Sequence, residues 1–95
     1  MRVEASAEAV EFIRARGGTL WVWPRHAVRP GLVTVDTATD PPPVDLLFQA
    51  VAHEAGFRLL LDPRGWGEPD YLDIELRGRR RRRVAAFWNG LAYLR

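Results

Sequence analysis

Not one of the 95 residues is a cysteine, so whatever this chain folds into must close by burying apolar side chains, without a disulfide or thiolate–metal staple. That length supports one modest core and is too short for two, which makes residues 1–95 a single domain. The same absence excludes thiolate catalysis, redox sensing and cysteine-ligated zinc or iron–sulfur clusters. All fourteen basic residues are arginine, and without lysine there is neither a Schiff-base amine nor a P-loop lysine. Because arginine keeps its proton near neutral pH, acid–base chemistry would rest on carboxylates and on His26 and His53. No apolar run exceeds five residues, too few to span a bilayer. Met1-Arg2-Val3-Glu4 opens the chain without the apolar segment of a secretory signal. A cytoplasmic protein with no membrane partner is expected.

Local patterns divide the chain into one helix and several strands. Ser6 stands before a stretch with early acids and late bases that stops at Gly17-Gly18, the pattern of a capped helix. In it Ala9, Phe12, Ile13 and Arg16 share one face. As the only serine, Ser6 reads as a cap and not as a nucleophile. Residues 19–23 are β-branched and aromatic and predict a strand that Pro24 ends. A second strand is expected over 32–37, and a proline-rich connection follows over 38–43. Residues 44–55 keep helical spacing through Val44, Leu47, Phe48, Val51 and Ala55, with Gly56 as the stop. A buried strand is expected over 57–61. Residues 71–77 alternate, with Leu72, Ile74 and Leu76 inward and Asp73, Glu75 and Arg77 outward. The Asn89-Gly90 pair between 84–88 and 91–94 predicts a β-hairpin at the C-terminus.

Three groups of residues bear on function. Arg77, Arg79, Arg80, Arg81, Arg82 and Arg83 concentrate positive charge in a chain whose net charge is only +2, so the remainder is net acidic. Such a cluster can grip phosphates and nominates nucleic acid as a partner, although a solvated turn carrying weak surface ion pairs accounts for it as well. Four tryptophans are many for this length. Trp66, between two glycines, is the candidate for an exposed contact, whereas Trp88 reads as core. His26 and His53 lack the i, i+4 spacing of a helical zinc site. A metal-dependent enzyme built on them and nearby carboxylates is a third alternative. Asp73 and Glu75 fall on the wet face of a strand, where solvation explains them.

The order of these elements, together with Phe57-Arg58-Leu59-Leu60-Leu61-Asp62, Tyr71-Leu72-Asp73-Ile74-Glu75-Leu76 and Phe87-Trp88-Asn89, resembles the HesB/IscA-like family, the A-type carriers of iron–sulfur cluster biogenesis. Chains of that family run through a Gly-hydrophobic-Lys-Val-Val-Val-Asp strand, a Tyr/Phe-Leu-x-Gly-x-x-Leu/Ile-Asp segment and a Phe-x-Phe-x-Asn-Pro end. The resemblance extends from about Val3 to Leu94. It implies an α+β fold, a compact mixed or antiparallel β-sandwich with one main N-terminal helix and a C-terminal β-hairpin, in which the segment from Phe48 to Gly56 is strand and loop instead of helix. The family's three cysteine ligands have no counterpart. The first matches Arg29, within Arg29-Pro30-Gly31, and the chain ends at Arg95 before the tail pair, while Asn89-Gly90 replaces Asn-Pro. The resemblance therefore implies the fold without cluster binding or any cofactor. The expected function is a non-catalytic interaction module. It would contact a protein partner, or a second copy, through strand edges, Trp66 and the loop around Arg25 and Arg29.

Overall fold

A computed structural model describes residues 1–26, 32–43, 46–91 and 93–94. It is a small α+β fold of one helix and two mixed sheets. β1 (Arg2–Ala5) leads into α1 (Ala7–Ala15). β2 (Thr19–His26), β3 (Val33–Ala38), β4 (Gln49–Val51), β5 (Arg58–Leu61), β6 (Tyr71–Arg77), β7 (Arg83–Trp88) and β8 (Tyr93–Leu94) follow. The strand orders are β1-β6-β7 and β4-β5-β2-β3-β8.

The helix forms where its end signals stand. Ser6 Oγ accepts the Ala9 N–H at 3.2 Å, satisfying one of the free donors of the first turn. At the other end Gly18 N–H donates to the Ile13 carbonyl and Gly17 N–H to the Arg14 carbonyl, a paired closure that caps the last turn. Ala9 and Ile13 are fully buried, and they join one core cluster with Leu20 and Val22 of β2, Leu59 and Leu61 of β5, Leu72 and Ile74 of β6, and Trp88 of β7. Burying each large aliphatic side chain contributes about 1.5–3 kcal/mol. This shared core, reached from both sheets, is what joins them.

The structure departs from the expectations at Pro24 and at the C-terminal hairpin, and over residues 46–55 it has the strand and loop that the resemblance implies, not the helix that the spacing suggests. Residues 46–55 form no helix: β4 pairs antiparallel with β5, and the helical spacing is resolved into alternating contacts. Phe48 meets Trp23 edge-on at 5.9 Å, and Val51 packs against the core. Pro24 does not end β2, which continues to His26 with Pro24 opposite Val35 in the ladder to β3. Pairing with β5 has already stopped at Val22, so no donor is required on the side where proline lacks one. The N-terminal residues, which carry no strand pattern, form β1 by pairing parallel with β6.

The other departure concerns the C-terminal hairpin. Its turn forms, with Asn89 (φ 50) and Gly90 (φ 84) left-handed as a primed two-residue turn requires, and Trp88 and Leu91 exchange two hydrogen bonds. Asn89 Oδ1 also accepts the N–H groups of Asp70 and Tyr71, which ties the turn to the start of β6. Beyond Leu91 the chain leaves β7 and pairs as β8 with Val33 and Thr34 of β3. The turn therefore links the two sheets and does not extend one of them.

Candidate functional site

Trp66 sits on a short turn that Asp62 organises. One Asp62 oxygen accepts the Arg64 N–H at 2.9 Å and the other accepts the Leu47 N–H at 2.7 Å, while Trp66 N–H donates to the Pro63 carbonyl. A single carboxylate thus holds two loops, and each displays a large apolar residue: Trp66 is 41% and Leu47 84% exposed. Trp66 lines a notch of about 60 Å³ with Pro24, His26, Val33 and Arg64. Helical spacing had placed Leu47 on a buried stripe. The signal that locates it outside is the neighbouring Phe48, since adjacent extended residues face opposite ways and Phe48 is taken up by Trp23.

Arg25 does not share that notch. Alternation along β2 sends it to the face opposite Pro24 and His26, where its Nε pairs with Asp36 Oδ2 at 2.8 Å. There it lines a cleft of about 480 Å³ with residues 34–37 of β3 and 83–86 of β7. Arg29 lies outside the described residues. His26 and His53 are likewise apart in role, one at the Trp66 notch and the other tilted against Phe57 with ring centroids 4.8 Å apart. Burial lowers the His53 pKa below 6.5 and outweighs a backbone hydrogen bond at Phe57 that raises it. Its Nδ1 accepts the Ala55 N–H, as the neutral ring does. Among the described residues, no three His, Cys, Asp or Glu side chains are grouped to hold a metal ion.

The arginine run forms the turn between β6 and β7, closing at the Arg77–Arg83 register pair. Gly78 makes the turn feasible: its φ is +99, and a Cβ there would fall on the carbonyl of Arg81. Arg77 pairs with Glu75 and lies over the Phe87 ring at 5.2 Å, and Arg82 reaches Glu8 of α1 at 3.2 Å. Arg79, Arg80 and Arg81 are exposed, and among the described residues no carboxylate pairs with them or with Arg83.

Where β7 comes alongside β3, the two sheets meet in a seam that Thr37 bridges, its hydroxyl donating to the Val84 carbonyl at 2.8 Å. The outer strands are β1 and β7 of one sheet and β4 and β8 of the other. β1 carries Arg2 and Glu4, β7 begins with Arg83, and β4 and β8 are three and two residues long; charge and brevity both discourage edge pairing. Beside the bridge, on the helix side, lies a notch of about 250 Å³ lined by Phe12, Arg16, Thr39, Arg82 and Arg83. Arg16 is the residue that sequence reasoning missed here. It was placed on the apolar stripe of the helix, and in the structure its guanidinium stacks on Phe12 at 4.2 Å. An arginine on an otherwise apolar stripe was the available signal.

Comparison with known protein families, with curated proteins and with solved structures finds no match to this chain.

Proposed function

We propose that this protein is a non-catalytic interaction module of the cytoplasm, a cysteine-free relative of the HesB/IscA-like β-sandwiches, which docks a partner protein through the surface displaying Trp66 and Leu47. The observation that carries the reading is the double anchorage at Asp62. Two exposed apolar residues from separate loops are held on one carboxylate, so binding through them needs little ordering of the loops. Aromatic anchors of this kind dominate interface energies. The one helix, the mixed sheets and the strand over Tyr71–Arg77 are compatible with the proposed kinship. Strand edges contribute less to the reading than Trp66, because the open ones are short or charged. Arg25 and Trp66 would serve different contacts, since they line different clefts.

Co-purification from the native cytoplasm, with sedimentation of the isolated protein, tests this. A partner or a second copy should be bound by the wild type and lost in Trp66→Ala and Leu47→Ser. A hot-spot loss of about 2 kcal/mol weakens binding roughly thirtyfold. A strictly monomeric protein that retains no partner, or retention indifferent to both substitutions, refutes the reading.

A second reading, binding of nucleic acid through Arg77, Arg79, Arg80, Arg81, Arg82 and Arg83, is favoured by one observation: the turn carries three consecutive exposed arginines that pair with no carboxylate among the described residues. Retention of RNA or DNA at about 50 mM salt, abolished when the run becomes serine, would support it. No retention by the wild type under that condition ends it.

A further inference from the structure

We infer that the notch between the end of α1 and the β3–β7 seam is a binding site for a single dianionic phosphate group, held by Arg16, Arg82 and Arg83. The inference is independent of the docking surface around Trp66. Three arginines line one notch from separate segments, Arg16 from the helix terminus and Arg82 and Arg83 from the turn between β6 and β7 and the start of β7. Like charges around one notch have an electrostatic cost, and a bound anion removes it.

One of the three arginines is oriented before any ligand arrives: Arg16 is stacked on Phe12 at 4.2 Å, which fixes the plane of its fork. Arg82 is paired with Glu8, a residue outside the lining, and an exposed pair of this kind releases it at little cost. The Gly78 turn sets where Arg82 and Arg83 leave the strand. Thr39 adds a hydroxyl to the lining, and the Thr37–Val84 bond holds the adjoining walls together.

Charge and shape select the ligand. Arg16, Arg82 and Arg83 with Glu8 leave two positive charges, which matches a phosphate group of about −1.5 to −2 at neutral pH. A carboxylate offers about four acceptor positions, fewer than three guanidinium forks and a hydroxyl supply donors, whereas the oxygens of a phosphate can take more of them. At about 250 Å³ the notch is smaller than the usual pocket for a drug-sized ligand and suits the phosphate alone. It adjoins the cleft of about 480 Å³, with which it shares Thr37, Arg83 and Val84. The body of a small phosphomonoester has room there.

The site is tested by titrating the folded protein with inorganic phosphate and with glycerol 3-phosphate, at constant ionic strength and with glycerol and chloride as controls, followed by backbone amide NMR. Saturable shifts centred on Phe12, Arg16, Thr39 and Arg83 are expected with both phosphates and with neither control. Tighter binding of glycerol 3-phosphate would assign a phosphomonoester, and tighter binding of inorganic phosphate the free anion. Arg16→Ala and Arg83→Ala should each weaken binding about tenfold, a loss of about 1.4 kcal/mol. The triple variant Arg79→Ser, Arg80→Ser, Arg81→Ser should weaken it by less than about threefold, the effect of diminished charge at a distance. Arg16 is exposed and outside the core, and unchanged amide spectra of the two single variants away from the notch will show that they fold. The inference fails if wild type shows no saturation by about 10 mM phosphate, too weak for a built site. It fails equally if the triple variant loses as much as Arg16→Ala, because binding then belongs to the arginine turn as a diffuse field.

Discussion

Replacing Gly78 with alanine separates two costs that usually travel together, the strain of a left-handed backbone and the lack of space. Gly78 has φ +99, and a Cβ built there falls on the Arg81 carbonyl; Gly65 has φ +89 and meets nothing within 4 Å. In Gly65→Ala only the backbone conformation is penalised, by about 1–2 kcal/mol, and about 0.4–1 kcal/mol is returned by the stiffer unfolded chain. The net loss should be about 1 kcal/mol or less. In Gly78→Ala the same strain applies and the Arg81 carbonyl must also move, which opens the turn, loosens the Arg77–Arg83 end of the ladder and frees Arg82 from Glu8. One lost ladder bond costs about 1 kcal/mol, and the exposed ion pair adds little. Gly78→Ala should therefore destabilise the fold by about 1 kcal/mol more than Gly65→Ala, about 2 kcal/mol in all, and the two variants should differ by roughly 4–8 °C in melting temperature at this chain length. Thermal unfolding followed by the fluorescence of buried Trp23 and Trp88 measures both. Equal losses in the two variants would refute the reasoning: the turn would then open without cost, and Gly78 would not position Arg82 and Arg83.

Three smaller perturbations follow from the same structure. Ser6→Ala removes the acceptor for the Ala9 N–H and should cost about 1 kcal/mol in urea denaturation; no loss would mean that the first turn is capped some other way. Thr37→Val keeps the shape and removes the donor to the Val84 carbonyl, with an expected loss of about 1 kcal/mol at unchanged denaturant slope. His53 has a pKa lowered by burial, so between that value and 6.5 the unfolded chain binds more protons than the folded one. Stability should be complete above 6.5, decline as pH falls through that window and level off below it. His53→Gln should flatten this portion of the pH profile, and an unchanged profile would assign the dependence elsewhere.

The parts of the fold legible in the sequence are those whose cause is local. Ser6, Gly17 and Gly18 mark the helix ends because capping bonds span only a few residues. The strand over Tyr71–Arg77 shows its alternation because one face is buried and the other wet. β1 was not legible: its four residues owe their conformation to parallel pairing with β6, far along the chain, and carry no period of their own. Residues 44–55 misled because apolar residues three and four apart also suit a strand and loop whose contacts are taken by different neighbours, Trp23 for Phe48 and the core for Val51. For the site, charge density exposed the arginine turn and flanking glycines exposed Trp66. The partners Arg16 and Leu47 are brought to those features by tertiary packing, which composition does not record. Separation of Arg25 from Trp66 follows from strand alternation, but only once β2 is known to run through Pro24.

The arginines along the β3–β7 seam admit a purely structural account, and it makes a different prediction from a ligand site. Strand edges bearing fixed charge resist pairing with other chains, and Arg83, at the start of β7, is placed to do that. If edge protection were the whole reason for the cluster, each arginine near the notch would lie on a strand or on the turn between strands. Arg16 does not: it ends a helix, and it reaches the notch by stacking on Phe12. Its removal leaves every strand edge as charged as before. Arg16→Ala should consequently leave solubility and self-association unchanged while lowering phosphate affinity, whereas Arg83→Ala should affect both. A cluster maintained only for edge protection would show the reverse, with self-association rising in Arg83→Ala and phosphate affinity the same in both variants as in the wild type.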